Sequence, residues 1–226
     1  MTLQEILDAA RNDFLADKNT PKLWSDDTLA RYANEAEREA CRRADLLIDS
    51  TTIAVCSIAV SANTASYALH GKIRRVLEAK LASQPVPLFL KTKGELDELY
   101  PEWRNETGTP VYVIPNPTTV RLVPTPTATD TLALEVVRLP LADMSLEDPD
   151  ATPEIPEAYH FDLIDWICHL AYSKQDAETM DLEKAKLHEA RFTAKFGPRP
   201  SALSETNRVR SPRNRGMRFK EFGFPY

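Results

Sequence analysis

The chain has 226 residues, of which 42% are apolar and 27% charged, enough for one sizeable soluble domain or two small ones. No stretch approaches the roughly 18 apolar residues of a membrane span, and the acidic, amphipathic start predicts no signal peptide. The three cysteines, Cys41, Cys56 and Cys168, form no CxxC pair, which disfavours a disulfide framework or a zinc site and favours a reducing compartment.

The first 50 residues predict two helices. Thr2 and Glu5 form a T-x-x-E capping box for a helix over about 3–16. Ser25 begins a second helix, with Asp26 and Asp27 in the first turn, where the helix dipole favours acids. An apolar stripe continues this helix to about residue 48.

Residues 51–153 read as strands, because Thr, Val and Ile become frequent and prolines interrupt the pattern. Asn116-Pro117 predicts a hairpin turn, and a short helix over about 93–100 begins at Thr92 and stops at Pro101. The predicted strands cover residues 53–60, 65–69, 73–81, 86–91, 111–115, 118–123 and 131–139.

Helical periodicity returns at Glu157, with an apolar face around Trp166. A last helix runs from Leu182, capped by Asp181, to Gly197-Pro198. Helices at both ends and strands between them indicate an α+β fold. We expect residues 1–50 and 154–196 to form one helical domain, residues 51–153 a β-rich domain with an antiparallel sheet or sandwich, and residues 197–226 an extended arm.

The arm differs from the body in charge. It contains seven Lys or Arg and two Glu, a net charge of +5, so residues 1–196 carry −11 when the whole chain carries −6. It lacks a usable period, and its prolines disfavour a helix. Three roles stay open: an arm that docks on a partner protein, a nucleic-acid grip or a solvated tail. The first is favoured, through Arg208, Arg210, Arg213, Arg215, Arg218, Phe219, Phe222, Phe224 and Tyr226.

One set of residues could be drawn as a catalytic or metal site. Asp162, Asp165 and His169 share one side of the third long helix, with Glu157 and His160 nearby. The favoured interpretation is a solvated polar face, because one helix rarely holds a complete site. We therefore predict no catalytic residue, no metal and no cofactor, and keep a metal-dependent hydrolase as a rival hypothesis.

The second helix carries many charges. Its acids are Glu35, Glu37 and Glu39, and they alternate with arginines in a pattern typical of surface ion pairs. In a ring of subunits such charges could instead meet a neighbouring copy. The residues predicted for that contact are Arg31, Glu35, Arg38, Glu39 and Arg42.

The segment LWSDDTLARYANEAEREACRRADLLIDS, residues 23–50, resembles the second helix of head-to-tail adaptor proteins of short-tailed phages. A W-[ST]-D-x-x-L-x-x-x-x-N-x-A pattern is common there. Residues 120–144 and 154–192 are similar to further segments of that family. The matching pattern positions are Trp24, Ser25, Asp26, Leu29, Asn34 and Ala36.

This resemblance implies a structural protein of the virion neck, assembled in the host cytoplasm and without enzymatic activity. It implies a dodecameric ring whose helices surround a channel through which phage DNA passes without specific binding. The arm would embrace the portal protein, and the tail nozzle would dock on the other side of the ring. The alternative is a DNA-binding or packaging accessory that uses the basic tail.

Overall fold

A computed structural model describes residues 1–18, 20–176 and 178–210, with the side chains of residues 208–210 left out. Helices and antiparallel sheets are both present, which confirms the predicted α+β class. The chain divides into two units. The helical unit is Met1–Asp49 with Val137–Ser201, and the β-rich unit is Ser50–Val136 with the chain from Ala202 onward.

The N-terminal helices begin where their caps predict. Helix α1 (Leu3–Ala9) has the Thr2–Glu5 capping box and continues as a π-helix over Ala10–Leu15. Helix α2 (Asp26–Ala44) is capped by Ser25. It ends earlier than the predicted residue 48, because Asp45 adopts a left-handed conformation with φ of 50°. The short strand β1 (Ile48–Asp49) follows.

A buried ion pair shapes the loop between these helices. The Arg11 guanidinium donates to Asp17 through Nη1, and through Nη2 to Asp26 at 2.6 Å. The Asp17 carboxylate also accepts from the backbone N–H groups of Leu23 (2.9 Å) and Trp24 (3.3 Å). The side chains of Arg11 and Asp17 are only 7% and 0% exposed. The loop is therefore fixed by two charges that have almost no access to water.

The prediction of a strand over residues 53–60 is wrong for its first half. Residues Ile53–Cys56 form a helical turn, α3, because Val55 and Cys56 donate their backbone N–H groups to the Thr52 carbonyl. The observed elements that follow are β2 (Ser57–Val60), β3 (Ser66–Ala68), β4 (Ile73–Leu81), β5 (Phe89–Leu90), α4 (Lys93–Leu99), a 3-10 turn (Pro101–Arg104), β6 (Thr107–Gly108), β7 (Tyr112–Pro115), β8 (Thr119–Val123), β9 (Thr125–Pro126) and β10 (Asp130–Arg138).

The strands form small sheets. In one, β10 pairs with β1, β2 and β4, and its register with β2 is antiparallel. In another the order is β3-β8-β7-β5. The β7–β8 pairing is antiparallel and closed by Asn116 N–H donating to Thr119 O, which confirms the predicted hairpin. The short β5–β7 and β6–β9 pairings are parallel, so the β-rich unit is not wholly antiparallel.

The C-terminal helices complete the helical unit. A 3-10 turn (Glu157–Tyr159) precedes α5 (Leu163–Ser173) and α6 (Leu182–Phe196), which begins at its predicted cap Asp181 and ends before Gly197. Residues 139–153, which the sequence assigns to the β-rich domain, belong here because Met144 and Ala151 pack into the helical core. Central members of that core are Leu7, Leu29, Ala33, Leu163, Ile167 and Phe192.

The prediction that the chain after Gly197 contains no helix is wrong for its first part. Helix α7 (Ala202–Arg210) lies between Pro200 and Pro212. A proline disrupts a helix from an interior position and disfavours the helical conformation in the residue that precedes it, but it is tolerated before the first turn. Here the prolines bound the helix, and Arg74 of β4 forms an ion pair with Glu205 of α7 at 3.0 Å.

Candidate subunit interface on the long helix

Apart from Asp26 in its first turn, the accessible charges of helix α2 form one narrow line. Ten of its nineteen residues are buried. Five charged residues with exposed or half-buried side chains recur at intervals of three or four, which places them on one face of the helix. We call this line the α2 stripe; it consists of Asp27, Arg31, Glu35, Arg38 and Arg42.

Four of the five residues predicted for subunit contacts lie on the α2 stripe. Arg31 is exposed and lies over the Tyr32 ring at 5.6 Å. Glu35 pairs with Arg38 at 3.4 Å. Glu39 is the exception, since it is 2% exposed and therefore cannot meet a neighbouring copy.

The interpretation of these charges as surface ion pairs is wrong for Glu37, Glu39 and Arg43, which are all buried. The Arg43 side chain is 0% exposed and donates from Nε to Glu39 at 2.8 Å. Its Nη1 donates to Thr193 Oγ1 at 3.0 Å and to the Gly197 carbonyl at 3.2 Å. This arginine therefore ties the end of α2 to the end of α6.

Two arginines stack on one tryptophan of α5. The Arg43 guanidinium carbon lies 4.8 Å from the centre of the Trp166 ring, and that of Arg199 lies 5.1 Å from it. Arg199 also pairs with Glu39 at 3.4 Å. Cation–π contacts of this kind hold the chain just beyond Gly197 against the helical core. The first residues of the C-terminal arm, around Arg199, therefore have a fixed position on the helical unit, and we call them the root of the arm.

The segment around Met144 also packs along α2. Asn34 exchanges two hydrogen bonds with the backbone of Met144, at 3.0 and 2.8 Å. Arg38 donates to Asp143, and this bond raises the pKa of the guanidinium. We call residues 143–155 the strap. Between the strap and α2 lies a cavity of about 340 Å³, whose lining includes Ala30, Arg31, Asn34, Arg38, Met144 and Leu146.

Glu37 holds the far end of the strap. Its Oε1 accepts hydrogen bonds from the backbone N–H groups of Glu154 (2.5 Å) and Ile155 (3.2 Å). Burial raises the pKa of Glu37 to about 7, although both hydrogen bonds act in the opposite direction. The sequence carries no signal for this contact, because the partners are backbone atoms more than a hundred residues away.

We expect Glu37 to make stability depend on pH. Its pKa is higher in the folded chain than in the unfolded one, so the folded state binds the extra proton. The contribution is complete below pH 4.5, the ordinary value, and is lost as the pH rises through about 7. Chemical denaturation across this range should show Glu37→Gln with a flatter profile than the native chain. Glu35→Gln, on the α2 stripe, is the matched control and should keep the native profile; identical profiles for all three chains would contradict the assignment.

The structure does not bring Asp162, Asp165 and His169 together as a site. Each contacts a different residue of α6, so the interpretation of a solvated face is also wrong. Asp162 pairs with Lys195 at 3.3 Å, Asp165 contacts His188 at 2.7 Å, and His169 donates to the Ala185 carbonyl at 3.0 Å. These polar contacts join α5 to α6.

The two other residues named with this set lie elsewhere. Glu157 is exposed and lies 3.6 Å from the N-terminal amine, whereas buried His160 contacts the Ile155 carbonyl at 2.8 Å. Within residues 1–18, 20–176 and 178–210, no group of three His, Cys, Asp or Glu side chains could hold a metal ion.

Only the first residues predicted for the portal-binding arm fall in the described part of the chain. Arg208 and Arg210 lie in α7. The remaining seven lie outside the described residues: Arg213, Arg215, Arg218, Phe219, Phe222, Phe224 and Tyr226.

Comparison with known proteins gives one assignment. A family model described as SU10 adaptor protein matches residues 1–216, which include the whole helical unit and most of the β-rich unit. No curated protein matches the chain significantly. Among the described helices, none combines the length and apolar character needed to cross a membrane. The family match confirms the predicted resemblance to phage adaptors. The chain therefore belongs to the SU10 adaptor protein family, a structural phage adaptor family of the virion neck.

Proposed function

We propose that this chain forms a ring between the portal and the tail nozzle of the phage, with a central channel through which DNA passes. The observation that carries the proposal is the family match over residues 1–216. The ring is dodecameric and assembles in the host cytoplasm before it becomes part of the neck.

Charge supports a role in DNA passage without DNA binding. Residues 1–196 carry −11, so a ring of twelve copies would have a strongly negative net charge. A basic lumen would bind phosphates and release them only at high salt. An acidic body repels the polyanion instead, which lets DNA move through the ring.

A closed ring requires that each subunit present two different faces to its neighbours. The α2 stripe contributes charged contacts to one of them, through Arg31, Glu35, Arg38 and Arg42. These side chains lie on a helix whose other sides are largely buried, so its position is rigid. Rigid placement reduces the entropy that is lost when subunits associate.

The C-terminal arm binds the portal in this proposal. Arginine and aromatic residues are enriched at protein interfaces, where arginine forms paired hydrogen bonds to carboxylates. The stacking of Arg199 on Trp166 and the Arg74–Glu205 ion pair fix the arm's first residues at two points. The portal contact itself then uses the residues beyond this root, among them Arg213, Arg215, Arg218 and the terminal aromatic residues.

The test is assembly on purified portal dodecamers, imaged by electron microscopy. Two chains are compared: the full-length protein and a chain ending at Arg210, which keeps every described contact of the arm root. We expect rings on the portal from the full-length chain and at least tenfold weaker binding from the shortened one, since several charge-assisted contacts are lost. Rings from both chains would retain the adaptor and remove the arm from the portal contact.

Absence of rings with either chain would favour the DNA-binding alternative. That alternative predicts that the full-length chain binds duplex DNA with an affinity that falls steeply as salt rises. The proposed adaptor predicts no such binding. A full-length variant with Arg213, Arg215 and Arg218 changed to Gln separates charge from length, since it retains the aromatic residues at the end of the arm.

A further inference from the structure

Helix α6 has a basic outer face, although the body of the chain is acidic. Its exposed cations are Lys184, Lys186, Arg191 and Lys195, and the side chains of Lys184 and Lys195 are 57% and 60% exposed. Two acids lie beside them, the exposed Glu183 and Glu189, whose side chain is 40% exposed. Four positive and two negative charges give this surface a net charge of +2, against −11 for residues 1–196 as a whole, although Lys184 and Lys195 also pair with Asp181 and Asp162 of the same chain.

The centre of the same surface is apolar. Leu187, Ala190 and Ala194 are exposed and recur at intervals of three and four residues, which aligns them along the helix. The helical period places Lys186 on one side of this line and Arg191 on the other. An apolar centre with a charged border is the usual composition of a protein interface. We call this surface the α6 face; it consists of Glu183, Lys184, Lys186, Leu187, Glu189, Ala190, Arg191, Ala194 and Lys195.

The first helix has an outer face of opposite charge. Glu5 and Asp8 of α1 and Asp13 of the π-helix that continues it are all exposed. The i to i+5 bonding of a π-helix brings residue 13 about one turn after residue 8. Arg11 is the only Lys or Arg in residues 1–17, and it is buried against Asp17. We call Glu5, Asp8 and Asp13 the α1 face, and it carries −3.

The two faces are different surfaces of one helical unit. Helix α1 and helix α6 both pack against α2 and α5, which lie at the centre of the unit. The π-helix and α6 also touch, since the rings of Phe14 and His188 lie 5.9 Å apart. The exposed acids of the α1 face and the exposed cations of the α6 face are nevertheless separate sets of residues, so one copy can offer each face to a different neighbour, as a ring of identical subunits requires.

We propose that the α6 face of one copy docks on the α1 face of the next copy, as part of the subunit interface of the ring. The inference rests on the proposed ring and adds these two helix faces to it. A charge of +2 then meets a charge of −3, and contact with the neighbour covers Leu187, which is otherwise 49% exposed. Complementary charges steer association and suppress wrong pairings, because two α6 faces repel each other.

Docking also explains how a basic surface is compatible with a DNA channel. Exposed lysines and arginines in the lumen would bind phosphates. Covering the α6 face with the acids of a neighbour neutralises its charges before DNA enters. Each exposed ion pair contributes little, but a closed ring repeats the contact at every interface.

The test is a charge exchange at the centre of the two faces. Asp8 is the middle acid of the α1 face, and Arg191 lies among the cations of the α6 face, so they are near each other whichever way the helices run. Asp8→Lys and Arg191→Glu should each weaken self-association about tenfold, since an attractive exposed pair becomes repulsive. The double variant should recover most of the native association. Sedimentation velocity of the full chain at low ionic strength measures this.

Lys93→Glu is the matched control, because it reverses an exposed cation of α4 in the β-rich unit and should associate like the native chain. A native chain that stays monomeric over the whole concentration series would overturn the proposal, as would a double variant as weak as the single ones. Loss of DNA binding in Arg191→Glu, with self-association unchanged, would assign the α6 face to nucleic acid instead.

The portal assay separates this result from the proposed function. If the native chain binds portals but the double variant does not recover self-association, only the proposed contact between the α6 face and the α1 face is refuted. If the double variant recovers self-association but the native chain does not bind portals, only the proposed role between portal and tail is refuted, and the contact between copies stands.

Discussion

Replacing Arg11 by methionine should lower the free energy of unfolding of the helical unit by about 3–5 kcal/mol. Arg11 and Asp17 are both buried, and Asp17 also accepts two backbone N–H groups of the loop before α2. Methionine keeps most of the side-chain volume and removes the charge. The Asp17 carboxylate is then left in a site that water does not reach, which is the most destabilising way to break a buried ion pair.

Urea denaturation followed by tryptophan fluorescence measures this loss. A Trp103→Phe background leaves Trp24 and Trp166, which both lie in the helical unit, as reporters. Lys22→Met is the matched control, because Lys22 contacts Asp26 from an exposed position and should cost less than about 1 kcal/mol. Equal losses in the two variants would show that the Arg11–Asp17 pair is no more important than a surface pair.

Arg43→Met should cost about 3 kcal/mol, through lost hydrogen bonds and the weakened pairing of buried Glu39. The substitution removes the contacts to Glu39, Thr193 and Gly197 together with the stacking on Trp166. Arg43→Lys should lower the free energy of unfolding by less, because lysine retains the positive charge beside Glu39. It should still be destabilising, because lysine lacks the planar guanidinium that stacks on Trp166 and donates several hydrogen bonds. The same denaturation series reports both values.

Arg42→Met is the control for this prediction. Arg42 is the neighbouring residue, is 39% exposed and pairs with the same Glu39 carboxylate. We expect a loss below about 1 kcal/mol. If Arg42→Met and Arg43→Met destabilised the helical unit equally, the role assigned to Arg43 in joining α2 to α6 would be wrong.

Local signals predicted the fold where the atoms involved are close in sequence. Thr2 with Glu5, Ser25, Thr92 with Glu95, and Asp181 all cap the helices that they were expected to begin. The hairpin at Asn116-Pro117 forms for the same reason. Capping and turn formation satisfy backbone groups within three or four residues, so the sequence contains both partners.

The candidate interface was predicted less well, because burial depends on partners far along the chain. Glu37 and Glu39 have the charge of surface residues. They are buried because the strap and the end of α6 pack over them, and the backbone donors of Glu37 are more than a hundred residues away. Alternating charges on a helix therefore did not distinguish the α2 stripe from the buried charges beside it.

The strap has a consequence for synthesis of the protein. Asn34 and Met144 are 110 residues apart, and the helical unit consists of two segments separated by the strands. Its core cannot close until the second segment has left the ribosome. At about 5–20 residues per second, translation of Ser50–Val136 delays closure by on the order of 10 s. During that interval the apolar side of α2 has no partner from α5, and the α2 stripe is not yet held in place. A nascent chain therefore lacks the folded α2 stripe, so the proposed assembly into a ring would be confined to molecules whose translation is nearly finished.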